Sequence, residues 1–253
     1  MLAPQRRNQI MQILNENKQI LVKEISQILN VSEGTLRNDL KILEEDGLLE
    51  RTHGGAVLPQ PPTYENTFHS RSQINQPEKM KIGRAAAELV QNGQCIILDA
   101  SSTSLELAKH LFNHEYLTVV TNGLATAQEL TKNPRINVIV VGGVLRPGSS
   151  SLEGLLGKGL LGQIHADVFF TSAQGFTLNE GLTDFSVYEA DLKRHIVANV
   201  GQVVALLDHT KLNRRSIATF AELRQIDTLV TDDQADPEFL RSLDGVRVVV
   251  AGP

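Results

Sequence analysis

The chain has 253 residues, 41% of them hydrophobic, and a formal net charge of −5. That length accommodates one small and one medium domain, and no run approaches the roughly 18 apolar residues needed to cross a bilayer. A single cysteine, Cys95, excludes an intrachain disulfide, and the polar opening lacks the apolar run of a secretory signal, so a reducing cytoplasm is the expected location.

Three short helices are predicted first. One covers residues 6–17, with Ile10, Ile13 and Leu14 on one face. The next covers 22–29, with Val22, Ile25, Ile28 and Leu29 inward. After the break Asn30-Val31-Ser32, Ser32 is a good N-cap and Glu33 suits the positive first turn of a third helix running to Asp46, with Gly47 as its C′ residue. Residues 48–51 and 56–58 read as two short strands around the tight turn Thr52-His53-Gly54-Gly55. Three helices and a hairpin make a winged helix-turn-helix. The stretch Pro59-Gln60-Pro61-Pro62 cannot be helical, so the expected division is a winged helix over 1–58, an irregular linker over 59–77 and a second domain over 78–253.

Residues 1–58 carry seven Lys/Arg against eight Asp/Glu, a net of 7 − 8 = −1, so any case for nucleic acid rests on where the charges sit. On the third helix Leu36, Leu40 and Leu43 form the core stripe, while Arg37, Asn38 and Lys41 lie opposite. In a major groove, Arg grips guanine and Asn pairs with adenine. Ser32 and Thr35 lie near the helix start, placed for a phosphate or a thymine methyl. Arg6 and Arg7 on the first helix, and Arg51 and His53 on the wing, are expected to add phosphate contacts. The acidic Glu44, Glu45 and Asp46 fall at the far end of the helix.

Beyond residue 77, strand-length apolar runs alternate with helical patterns: 95–99, 117–121, 137–141, 167–171, 202–208, 227–231 and 246–250. Near-continuous Val/Ile/Leu strands alternating with helices imply a parallel sheet covered on both faces, an α/β fold in which ligands sit beyond the strands' carboxyl ends. Those ends carry Asp99, Ser101, Ser102, Thr103 and Ser104 before a helix starting near Leu105, then Thr121-Asn122, Gly142-Gly143 with Arg146, Gln174-Gly175, and Asp208 with Lys211. Hydroxyls and free amides at a helix N-terminus favour an anion. A phosphate is therefore expected on residues 101–104 with Lys211 and Arg146 as countercharge, and sugar hydroxyls on Asp99 and Asn122. Glu189 and Lys193 form an i,i+4 pair, readable as a surface salt bridge or as a pocket-lining lysine.

The N-terminal segment, with Val31-Ser32, Thr35-Leu36-Arg37, Asp39-Leu40, Leu43 and the wing Arg51-Thr52-His53-Gly54-Gly55-Ala56, resembles the helix-turn-helix of the DeoR family of sugar-metabolism repressors. LDASSTSLELA (98–108), VTNGL (120–124), GGVLRPG (142–148), GLTDFSVYEADLKR (181–194) and LLDHTKLNRRSI (206–217) resemble that family's sensor domain, which is similar in fold to ribose-5-phosphate isomerase. The resemblance implies a repressor that binds double-stranded operator DNA and responds to a phosphorylated sugar. It implies structural roles for Arg37 and Asp39, and moves Lys193 toward the pocket. The chain departs from the family at Asn38, where a second arginine is usual, at Ser101, where glycine is common, and at Ser172-Ala173-Gln174-Gly175.

The alternative is a sugar-phosphate isomerase with a DNA-binding appendage, using Asp99, Asp184, Glu189 or Asp208 as a base. No paired acidic motif demands it, and the resemblance implies binding without turnover. No metal or cofactor is expected, since no His/Cys cluster has ligand spacing and no glycine-rich loop has the nucleotide pattern. A homo-oligomer, dimer or tetramer, is expected, because one small reading head gives little specificity.

Overall fold

The computed structural model describes residues 3–17, 19–45, 49–52, 54–57, 68–145 and 148–252, which fall into two compact units, Met1–Asn66 and Thr67–Pro253. The Pro59-Gln60-Pro61-Pro62 boundary, the Asp46-Gly47 helix end, His53 and Arg146 lie outside the described residues.

The smaller unit runs α1 (Ala3–Asn17), β1 (Gln19–Leu21), α2 (Val22–Ile28), α3 (Glu33–Glu45), β2 (Glu50–Arg51) and β3 (Gly55–Val57). Ile10, Leu14, Val22, Ile25, Leu36, Leu40 and Leu43 are buried together, each worth about 1.5–3 kcal/mol on removal from water. The turn between α2 and α3 places Asn30 at φ 50°, a left-handed conformation that asparagine tolerates. Ser32 Oγ then accepts the Thr35 amide at 3.1 Å, capping α3 as its sequence predicts. The hairpin gains a third strand that the sequence did not reveal: β1 pairs antiparallel with β3, matching Leu21 to Gly55.

The larger unit opens with α4 (Phe68–Gln73) and α5 (Gln76–Ala87). Residues 68–73 and 76–77 are therefore helical, which corrects the reading of an irregular linker extending to 77. Asn75, at φ 50°, makes the corner, and Pro77 sits in the first turn of α5, where its missing amide costs nothing. There follow β4 (Cys95–Leu98), α6 (Ser102–Lys109), β5 (Leu117–Thr121), α7 (Leu124–Leu130), β6 (Ile136–Val140) and a hairpin of β7 (Val144–Leu145) with β8 (Leu152–Glu153). Next come α8 (Lys158–Leu161), β9 (Val168–Thr171), β10 (Gly175–Thr177), β11 (Gly181–Asp184), α9 (Val187–Val197), β12 (Gln202–Leu206), β13 (Ala218–Ala221), β14 (Thr228–Asp232), α10 (Pro237–Arg241) and β15 (Arg247–Ala251).

All seven strands read from the apolar runs join one parallel sheet in the order β15-β14-β12-β9-β4-β5-β6. Alternate residues serve its two faces: Ile96 and Leu98 enter one core, Ile97 the other. The order reverses between β4 and β9. Beyond the carboxyl ends of these two strands lies the crevice where open α/β sheets bind ligands.

Candidate nucleic-acid interface and effector site

In α3 the apolar stripe is buried, while Thr35, Arg37, Asn38 and Lys41 are exposed. Arg37 reaches back one turn to Glu33 at 3.0 Å, and the wing's Arg51 meets Glu44 at 3.0 Å, with its amide also bonded to that carboxylate. Exposed pairs of this kind are worth about 0–1 kcal/mol, so a phosphate or base edge competes with them readily. Glu44, in the last turn of α3, thus holds the wing arginine beside that helix. Ser32 is committed to the cap, and its hydroxyl also meets that of Thr35 at 2.9 Å. Asp39 is buried and pairs with Arg6 of α1 at 2.5 Å. The Arg6 side chain is 12% exposed, so its expected role as a phosphate contact is corrected to that of a clamp between α1 and α3. Asp39's partner is accordingly Arg6, not the neighbouring Arg37. Arg7 is partly buried.

In the larger unit Asp99 is the centre of the strand-end arrangement. Its Oδ1 accepts the Ser101 amide (3.1 Å) and the Ser104 hydroxyl (2.6 Å); its Oδ2 accepts the Thr171 hydroxyl (2.8 Å) and the Ser172 amide (2.9 Å) and meets Lys193 Nζ at 3.0 Å. These groups come from both sides of the β4/β9 reversal, so the carboxylate ties the crevice floor together. The expectation that Asp99 binds a sugar hydroxyl is corrected, because both oxygens are occupied by protein donors. Burial pushes the Asp99 carboxyl up, but Lys193 and the hydrogen bonds outweigh it and hold the group below its usual range.

Lys193 is 3% exposed, neither a surface salt bridge nor an open pocket group. Besides Asp99 it touches Asp184 at 2.8 Å, Glu189 at 3.7 Å and the Ser172 carbonyl at 2.9 Å, with the Phe220 ring 4.9 Å away. Burial disfavours its charge, yet Asp184, Asp99 and Glu189 together raise its pKa above the lysine range. Glu189 is pushed up to about 7, by burial first and by Asp184 and Asp99 beyond it, against the pull of Lys193 and Arg71.

The helix expected near Leu105 starts three residues earlier. Ser101 is its N-cap, accepting the Ser104 amide at 3.0 Å, so Ser102 and Thr103 form the first turn of α6. Ser101 and Ser104 are spent on the cap and on Asp99, while Ser102 donates to the Arg71 carbonyl at 3.4 Å and Thr103 is buried beside it in the first turn. Asn122, expected to bind sugar, donates instead to Ser151 Oγ (3.0 Å) and the Leu152 carbonyl (3.1 Å), while Thr121 Oγ1 accepts the Gly123 amide at 3.0 Å. Gly143 and Gly175 are sites of close backbone approach: an added Cβ would lie 2.5 Å from the Glu153 carbonyl oxygen and 2.3 Å from that of Arg214. Gly142 is exposed, and the Gln174 amide donates to the Thr183 carbonyl at 2.9 Å. Asp208 caps the turn at His209–Lys211, accepting the Thr210 amide at 3.0 Å and its hydroxyl.

Residues 6–61 match the DeoR-like helix-turn-helix domain, and residues 74–233 match the DeoR C terminal sensor domain. The chain belongs to the DeoR family. It is 49% identical over 249 residues to the HTH-type transcriptional regulator GolR of Listeria innocua, covering 98% of each chain. It is 30% identical over 232 residues to the glycerol-3-phosphate regulon repressor of Escherichia coli, covering 92% of each. A ribose 5-phosphate isomerase of Methanocaldococcus jannaschii is similar over 55% of both chains, at 17% identity and a TM-score of 0.41. As a DeoR-family member the chain is a DNA-binding transcriptional regulator, not an enzyme.

The DeoR-family sensor unit also brings to the crevice residues that sequence reasoning missed, from the stretch read as linker. Arg71 of α4 carries its guanidinium 5.8 Å from the centre of the Phe185 ring, and its backbone carbonyl accepts Ser102 Oγ at 3.4 Å and Lys79 Nζ at 2.5 Å. Lys79 also donates to the Ile74 carbonyl at 2.7 Å. Asn75 Nδ2 donates to Asp208 (3.0 Å) and to the Thr210 hydroxyl (3.2 Å). The α4–α5 corner is thus fastened both to the first turn of α6 and to the turn at 208–211. Proline and polar residues hid the corner, because short helices leave little periodicity.

Proposed function

We propose that this protein is a cytoplasmic, homo-oligomeric repressor of a carbohydrate-metabolism operon. Its α3 reads the operator, and a phosphorylated sugar in the crevice beyond β4 and β9 shifts the DNA-binding equilibrium. The observation that carries the effector reading is the first turn of α6: Ser102 and Thr103 head an eight-residue helix beside the Asp99–Lys193 floor, Ser102 meets the Arg71 carbonyl, and Lys211 is among the cations near Arg71. A helix N-terminus with a nearby lysine suits a phosphate. The name of the Escherichia coli relative, a glycerol-3-phosphate regulon repressor, supports a response linked to a small phosphorylated compound. Arg6 and Arg146 are not needed for this assignment; Thr35, Arg37, Asn38, Lys41 and Arg51 are the groups proposed to face DNA.

A thermal-shift screen of the full chain against sugar phosphates and their unphosphorylated parents tests the reading, since a ligand of the folded state raises the melting point. At least one phosphorylated sugar should stabilise the protein, its parent should not, and the same compound should change operator affinity about 5–150-fold. Ser102→Ala combined with Lys211→Ala should abolish that response and leave operator binding intact. A response only to unphosphorylated sugars, or none across the screen, overturns the assignment.

For the DNA side, Arg37→Ala and Asn38→Ala should each reduce discrimination between a selected operator and random duplex by about 1–3 kcal/mol. Lys41→Ala should weaken both duplexes alike. Equal weakening of the two by Arg37→Ala would remove it from base reading. Sedimentation should show at least a dimer, whose two heads read half-sites about 10 base pairs or a multiple apart.

A further inference from the structure

The crevice holds more positive charge than the sequence motifs account for. Arg71 Nε is buried and has no hydrogen-bond partner, and among the described residues no carboxylate lies within ion-pair distance of this guanidinium. A buried donor of this kind is costly if nothing ever meets it, and more so when it is charged. Phe185 packs on the guanidinium, which fixes its plane but accepts no hydrogen bond from Nε.

The cation stands in a cluster. Lys79 is 5% exposed, held by the Arg71 and Ile74 carbonyls. Lys79 is lowered to about 8, by burial first and then by Lys211 and Arg71, against the opposing pull of Asp208 and Glu106. Lys211 is lowered in the same way, by burial first and then by Arg71 and Arg214, again with Asp208 opposing. Arg71, Lys79 and Lys211 thus stand near one another with Asp208 as the opposing charge, and the Ser102 hydroxyl ties the Arg71 carbonyl to the first turn of α6, a setting that favours an anion.

We infer that Arg71 is a direct ligand of the effector's phosphate: its half-buried guanidinium, with an unpartnered Nε and supplied by α4, completes the anion site begun by Ser102, Thr103 and Lys211. The inference rests on the effector reading given above. A guanidinium offers two parallel N–H donors that match two phosphate oxygens, which a lysine cannot do. Lys79 is then a positioning residue, because its ammonium holds the carbonyl of Arg71 and so the turn that aims it.

The test uses the full chain with inorganic phosphate as the first probe and the sugar phosphate found in the thermal screen as the second. Arg71→Gln should weaken the apparent affinity for both probes at least tenfold while leaving ligand-free operator binding unchanged. Arg71→Lys, which keeps the charge but loses the fork, should give an intermediate loss and carries the test if the glutamine variant does not fold. Wild-type protein that responds to a sugar phosphate while Arg71→Gln and Arg71→Lys respond equally well overturns the role of Arg71 and leaves the effector reading standing. Wild-type protein that responds to no phosphorylated probe overturns both.

Discussion

Replacing Lys193 with methionine is expected to destabilise the larger unit by about 3–5 kcal/mol, because it strands Asp99, Asp184 and Glu189 in the interior without their cation. For a unit of this size that corresponds to a fall in melting temperature of roughly 6–20 °C. Methionine matches the lysine stem, so packing against Phe220 changes little and the loss reports the charge. The effect should depend on pH. The stranded carboxylates can be buried as neutral acids, so the gap between variant and wild type should be largest near pH 8 and shrink toward pH 5. A gap independent of pH would point to packing instead.

Glu189→Gln supplies the opposite sign in the same cluster. The folded-state pKa of Glu189, about 7, lies above its ordinary value of 4.5. The unfolded chain therefore loses this proton first as pH rises, and stability is lost progressively between about pH 4.5 and 7. Glutamine removes that loss, so the variant should gain on wild type between pH 5 and pH 8. Lys193, Asp184, Asp99 and Arg71 are the charged groups that set the shift. A wild-type melting temperature that rises between pH 5 and 7 as much as that of Glu189→Gln would contradict the assignment.

Replacing Gly55 with alanine should abolish operator binding. A Cβ at this position would lie 1.8 Å from the Ile20 carbonyl oxygen and 2.9 Å from its carbon, both in the backbone of β1. No rotamer change relieves a backbone clash, so the cost should reach about 3 kcal/mol or more. A unit of some 60 residues has little reserve against that. Two-probe melting should show an early loss of the winged helix with the larger unit's transition unmoved, and fluorescence anisotropy should show no specific complex. Gly54→Ala is the control, since nothing lies within 4 Å of an added Cβ there. Near-normal operator affinity in Gly55→Ala would show that the wing can shift away from β1 without harm.

These expectations separate what local sequence encodes from what only folding assembles. The core stripe Leu36, Leu40 and Leu43, the Ser32 cap and the seven apolar strands were legible because each is a property of neighbouring residues, a period of 3.6, a hydrogen bond three residues long or a run of branched side chains. The strand-end loops were legible for the same reason, since a parallel sheet places every strand's carboxyl end on one edge. Three-residue strands such as β1 and β10 carry too little pattern to be read, and β13 joins the β10–β11 hairpin only through long-range pairing with β11. Only the tertiary structure decided that the sheet reverses between β4 and β9, and therefore that Asp99 meets Thr171 and Lys193. It also turned Asp99 from a ligand group into the floor of the site, took Arg6 out of the phosphate set by pairing it with Asp39, and brought Arg71 into the crevice from the presumed linker. Sequence fixes which groups can make a hydrogen bond or an ion pair; which of them remain available to a ligand depends on partners whose separation along the chain carries no local signal.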